Sequence, residues 1–337
     1  MNFNSICEYE YSSRYSSFPR IYESLNIVNL VEPRDTLKCI NLSSGTEEWS
    51  FKEGKNILEL GEFCNNFYFS IFHGRRKERE LCRVTAKGDS LLTAPSFRPV
   101  YFDDSKISDG DLNIYDADSL EKVETFSYLL DELKNNDYVT DLFPNVTELY
   151  PNLLNVLKTM YIVEITSSDV SIIVAIEREE HLKIKYIVKG LDSNFNFKNY
   201  LVLKEYNEAK FFNVFDIHSG EKLGEIEFSS NVKEIENKIF YSENGSNKIK
   251  VWSLAEGLNE LGLEEYGEDV IYFFTETQII AASANPHKNF HLYIYEYDGA
   301  LKHHESFGEK GIELYSATSS YLALYKSNTI KIYSISE

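Results

Sequence analysis

Apolar and polar positions alternate with a period of two along most of this chain, and short polar turns rich in Asp, Ser and Gly interrupt the alternation at recurring distances. The clearest units are Leu37–Trp49 with Gly45 in its turn, Leu112–Asp118, Phe212–Leu223 with Gly220, Ile249–Leu254, Leu292–Gly299 and Ile330–Ile335. Weaker copies centre on Cys82 and Ile184. Each reads as strand, turn, strand. With centres at Ile40, Cys82, Ile114, Ile184, Val214, Val251, Ile294 and Ile332, the recurrence is about 42 residues, the length of a four-stranded antiparallel unit. One such sheet cannot bury both of its faces alone, so the units must stack face to face.

The pattern therefore predicts an all-β chain, a β-propeller of seven blades, with eight or six as the alternatives. The count is open because the intervals Cys82 to Ile114 and Ile184 to Val214 are 32 and 30 residues, short for four strands. The last copy, Ile330–Ile335, ends near the chain terminus without a partner strand after it. Cys7–Tyr11 or its neighbours are predicted to supply that partner and so remove an exposed sheet edge.

Between Ile114 and Ile184 the spacing rises to 70 residues. The extra length has a helical pattern: Phe126, Leu129, Leu130 and Leu133 fall on one stripe, Asn135-Asn136-Asp137 is a stop, and Pro151 opens a second stripe of Leu153, Leu154, Leu157 and Met160. The organisation expected is a single propeller domain over residues 1–337 with a helical insertion at 126–160. The insertion either caps the flank of the propeller or binds a partner. In the second case the aromatic and apolar residues Tyr138, Leu142, Phe143 and Tyr150 are the anchors, because loops that leave a rigid scaffold carry specificity.

The segments Cys39–Trp49 and Phe215–Gly224 resemble the strand, Asp, turn-Gly, strand repeat of quinoprotein-like and WD40-like propellers, and Ile249–Leu254 is similar to the latter. The resemblance extends over most of the chain at the level of repeat shape and implies the propeller superfold. In quinoprotein dehydrogenases a tryptophan after the turn recurs in most blades; here it stands once, at Trp49. The vicinal cysteine pair of that family is missing as well, so no quinone and no other cofactor is expected.

Composition narrows the function. Of 337 residues 43% are hydrophobic and 14% aromatic, and 24 Tyr and 22 Phe against 2 Met suit a core of stiff, strand-favouring side chains. A formal charge of −20 repels phosphate backbones, so nucleic acid is not expected as a direct ligand. The sequence has no apolar run of membrane-spanning length and no basic leader, and a cytoplasmic location without membrane contact is the expectation. Cys7, Cys39, Cys64 and Cys82 lack metal-type spacing and sit among apolar neighbours, as structural thiols do.

Candidate chemistry is sparse. His303 and His304 are adjacent and point to opposite faces of a strand, while His287 and His291 follow the turn signal Asn285-Pro286, so no metal site is expected. Asp103, Asp104, Asp109 and Asp111 lack the ligand spacing of a calcium loop, and Arg75, Arg76, Lys77 and Arg79 read as a solvated hairpin tip. Glu264 and Glu265 belong to the most acidic stretch, which would steer a basic partner. With no phosphate loop or nucleophile elbow, an enzyme is not expected. The reading is a protein-interaction scaffold or subunit of a larger assembly; the alternatives are an acidic inhibitor or immunity-like protein covering a basic effector, and a propeller enzyme acting on a carbohydrate or metabolite.

Overall fold

The computed structural model describes residues 1–10, 19–32, 36–52, 56–73, 78–85, 87–88, 92–95, 100–103, 105–108, 113–125, 128–142, 150–157, 160–167, 170–177, 183–192, 198–204, 211–227, 232–242, 248–263, 270–283 and 285–336. Among them are eight four-stranded antiparallel sheets. Sheet 1 is Arg20–Tyr22, Ile27–Glu32, Thr36–Asn41, Glu47–Lys52; sheet 2 is Asn56–Phe63, Asn66–His73, Glu78–Thr85, Leu92–Pro95; sheet 3 is Val100–Asp103, Lys106–Ser108, Asn113–Asp116, Lys122–Thr125. Sheet 4 is Tyr150–Leu157, Met160–Ser167, Val170–Glu177, Lys183–Lys189; sheet 5 is Leu191–Asp192, Tyr200–Lys204, Phe211–Asp216, Lys222–Glu227. Sheet 6 is Val232–Ile235, Lys238–Ser242, Ile249–Ser253, Gly257–Leu261, and sheet 7 is Val270–Phe274, Ile279–Ser283, Asn289–Tyr295, Leu301–Lys310. Sheet 8 is Glu313–Ala317, Tyr321–Lys326, Thr329–Ser336 and, as its fourth strand, Asn2–Glu10 from the start of the chain. Repeated meanders of four strands make this an all-β propeller of eight blades. Packing divides the residues into two compact units, one of 1–59, 69–91 and 229–337, the other of 60–68 and 92–228.

The predicted pairing of the N-terminal strand with the last copy of the repeat is present, in the register Asn2 to Ser336 through Glu10 to Thr329. A register shift between Ser5 and Cys7 makes Ile6 the extra residue of a bulge. Its effect is to change which face the odd residues occupy. Met1 and Phe3 join the cluster of Phe290, Leu292, Ile294 and Leu324, whereas Cys7 and Tyr9 join the cluster of Val28, Ile40, Ile330 and Ile332 on the other side. One strand thereby helps to bury both faces of sheet 8. Burial of Ile330 and Ile332, each 1% exposed, contributes about 1.5–3 kcal/mol apiece.

One turn recurs between the third and fourth strands and shows why the Asp/Ser/Gly signal was periodic. Asn41 Oδ1 accepts from the N–H groups of Ser43 and Ser44, Asp116 Oδ1 from those of Asp118 and Ser119, and Asp216 Oδ1 from those of His218 and Ser219. The second residue of each turn, Leu42, Ala117 or Ile217, is buried, and its N–H donates back to the carbonyl of Asn26, Ser105 or Asn199 in the preceding hairpin. The fifth position needs a left-handed backbone: Gly45 at φ 70°, Leu120 at 57°, Gly220 at 73°.

Two expectations are corrected. There are eight sheets where seven blades were predicted, and the helical insertion at 126–160 is only partly helical. Two short helices stand in it, α1 (Tyr128–Lys134) and α2 (Asp137–Leu142), with Leu133 and Val139 buried and the Asn136 side chain accepting from the Val139 N–H as a cap. The second predicted helix is instead the first hairpin of sheet 4, pairing Leu153 with Val163 and Leu157 with Met160. The adjacent leucines that imitated a helical stripe lie at a bulge, where Leu154 is the extra residue. Ile184 consequently lies on the fourth strand of sheet 4, and Val174, fully buried, is the equivalent of the other centres. Counted from Val174, the 30-residue interval to Val214 becomes 40, enough for a complete sheet.

Candidate functional site

A groove of about 270 Å³ lies between the fourth strand of sheet 7 and the strands of sheet 8. Its floor is apolar. Phe307, pointing inward from an edge strand whose residues alternate between half-buried and exposed, meets Phe290 at 5.4 Å, Phe3 at 6.3 Å and Tyr333 at 6.1 Å between ring centroids. Leu324 and Ile312 complete the floor. These rings are held by the same cluster that fixes the N-terminal strand, so the floor is rigid.

One wall is a two-residue hairpin. Lys326 pairs with Thr329 across Ser327 and Asn328, whose φ angles of 50° and 67° match the twist that tight hairpins require. Tyr325 stacks on Tyr315 at 4.8 Å with 9° between the planes and donates its hydroxyl to Asn328 Oδ1 at 3.1 Å. The hairpin therefore presents Lys326 at a fixed place.

Four charges line the rim in two pairs. Lys326 Nζ lies 2.7 Å from Glu309 Oε2, and Lys331 Nζ lies 3.1 Å from Glu8 Oε2, the residue directly opposite it in the ladder. The hydrogen bond from Lys326, reinforced by the charges of Lys326 and Lys331, holds the Glu309 carboxyl below the usual carboxylate range. The hydrogen bond to Glu8 pushes the Lys331 ammonium up. Burial pushes the Tyr333 phenol up, which leaves it a neutral hydrogen-bonding group. The Glu309 carboxylate and the Lys331 ammonium are thereby held in their ionised forms, which suits electrostatic anchoring and not proton transfer.

The anchors named from sequence are distributed differently. Tyr138 and Leu142 are on α2, and Tyr150 begins the first strand of sheet 4. Phe143, Glu264 and Glu265 lie outside the described residues. The groove residues Phe307, Tyr325, Lys326 and Lys331 were not singled out. Of these only Lys331 stands in a segment the sequence had marked, the last repeat copy, and its partner Glu8 stands in the strand predicted to complete that copy. The thiols are as expected: burial raises Cys7, and burial with the nearby Glu48 charge pushes Cys39 up to about 12. His303 and His304 do face opposite ways, His303 toward Phe3 and His304 onto Tyr293. Among the described residues no three His, Cys, Asp or Glu converge as a metal centre, and no helix is long and apolar enough to cross a membrane.

No protein-family model and no curated protein sequence matches the chain. Its fold does match solved structures. It is similar to the C-terminal WD40 domain of Sif2 with a TM-score of 0.61, 11% identity and 99% of each chain covered. It is similar to BamB from Moraxella catarrhalis with a TM-score of 0.56, 10% identity, and 99% of this chain and 100% of BamB covered. Dihydro-heme d1 dehydrogenase NirN, solved in complex with DHE, gives a TM-score of 0.57 and 12% identity over 98% of this chain and 79% of NirN. At such identities the likeness defines the fold alone: this chain is a β-propeller.

Proposed function

We propose that this propeller is a protein-interaction scaffold, a subunit of a larger assembly, and that the groove between sheets 7 and 8 grips a segment of its partner. The observation that carries the reading is the pairing of an aromatic floor with a rim of two cations and two anions joined in two ion pairs. An amphipathic protein segment matches both features: an apolar side chain fills the space above Phe307 and Tyr333, and polar groups exchange into the ion pairs. Exposed ion pairs add little to fold stability, so these four residues are free to be specialised for recognition. The formal charge of −20 adds long-range attraction for a basic partner and fits the acidic-inhibitor variant of the same reading. A cytoplasmic setting without nucleic acid or membrane is part of the proposal.

The test is affinity capture of the tagged chain with mass spectrometry, comparing wild type with Tyr325→Ala combined with Lys326→Glu. Loss of the captured protein at unchanged thermal stability is expected. Undiminished capture by the double variant would move the interaction surface elsewhere.

A further inference from the structure

Antiparallel pairing brings two histidines together that sequence spacing kept apart. His291, on the third strand of sheet 7, and His304, on the fourth, sit diagonally across the ladder, where His291 pairs with Ser306 and Tyr293 with His304. His291 Nδ1 and His304 Nε2 are 3.1 Å apart. The His291 backbone and the His304 ring are both held in place. The Ser283 hydroxyl accepts from the His291 N–H at 3.0 Å and donates to the His291 carbonyl at 3.3 Å, which braces the bulge that precedes it. The His304 ring lies flat on Tyr293, 4.4 Å between centroids and 4° between planes. Tyr293 is itself only 9% exposed. The pair thus combines an accessible outer side with a rigid, apolar backing.

We propose that His291 and His304 form a two-imidazole chelate for a borderline divalent cation of the Cu²⁺, Ni²⁺ or Zn²⁺ class, with water in the remaining positions. With metal to nitrogen bonds of about 2.0–2.1 Å, the 3.1 Å separation corresponds to a bite angle of roughly 100°, between the square and tetrahedral values these ions adopt. In the free protein one ring nitrogen donates its proton to the other. When the cation enters, that proton moves to the second nitrogen of its own ring by exchange through water, and both facing nitrogens offer lone pairs. No proton is gained or lost overall. The ring torsion of histidine is soft enough to redirect the lone pairs from each other to the ion. A strongly acidic chain favours cation accumulation at its surface.

The experiment is titration of the untagged full chain with Cu²⁺ and Ni²⁺, read by calorimetry and by the nitrogen hyperfine structure of bound Cu²⁺ in electron paramagnetic resonance. One equivalent with two-imidazole coordination is expected. His291→Ala and His304→Ala should each weaken it at least about tenfold, because a chelate needs both rings. His287→Ala, an exposed histidine outside the pair, should leave it unchanged. Should an alanine variant fail to fold by circular dichroism, His291→Gln and His304→Gln preserve side-chain size without an imidazole. Equal binding by wild type and the doubly substituted chain overturns the proposal as adventitious binding only. Loss in just one single variant, or loss in His287→Ala, overturns it too.

Discussion

Individual side chains in this propeller act mainly by fixing turns and by staying neutral where they are buried. Cys39 illustrates the second role. Its thiol titrates near 9.0 in an unfolded chain and at about 12 in the folded one. The folded state binds the extra proton, so this stabilisation is complete below pH 9 and is lost as the pH climbs from 9 to 12. Chemical unfolding followed across that range should show stability falling from about pH 9 in wild type. In Cys39→Ala the fall from about pH 9 should be shallower, since Cys7 is still raised by burial, and tyrosines such as Tyr186 and Tyr297, also raised by burial, add to it at higher pH. The turn glycines illustrate the first role. A Cβ at Gly45 would lie 2.5 Å from the Ile6 carbonyl oxygen, whereas one at Gly257, with a similar φ of +69°, meets nothing. Melting experiments should therefore find Gly257→Ala costing about 1 kcal/mol for backbone strain alone and Gly45→Ala costing clearly more.

Strands and turns were legible in the sequence where both the period and the turn chemistry were regular. Seven of the eight predicted centres are third strands of their sheets, and the N-terminal strand was placed correctly because an unpaired last strand demands a partner. Sheet 4 was misread, since a bulge at Leu154 gives two adjacent leucines a helix-like spacing that strand pairing overrides. The groove and the histidine pair were illegible for a different reason. Their members come from strands that only the register brings side by side, such as Lys331 with Glu8, and no local spacing encodes that. Deleting residues 2–10 tests the element that matters most. It strips one strand from sheet 8 and uncovers Ile330 and Ile332, so the melting temperature should fall by several degrees or more. A synthetic peptide of residues 1–10 should restore part of the loss. An unchanged melting curve would mean that the strand contributes nothing to the sheet.

At the scale of the whole molecule, the proposed scaffold role places specificity in what the blades display. The proposed interaction has two candidate surfaces: the groove of sheets 7 and 8, and the segment around α2 and the start of sheet 4 that carries Tyr138, Leu142, Phe143 and Tyr150. Aromatic anchors commonly cost about 2 kcal/mol or more when truncated, and exposed charges mainly alter the association rate. Phe143→Ala with Tyr150→Ala should therefore abolish capture if the second surface binds, and leave it intact if the groove does. The most direct measurement is amide hydrogen exchange on the chain with and without the partner recovered by affinity capture. Protection concentrated in Leu301–Lys310 and Tyr321–Lys331 is the result expected for a partner held in the groove. Protection confined to other blades, with these strands exchanging as in the free chain, would contradict it.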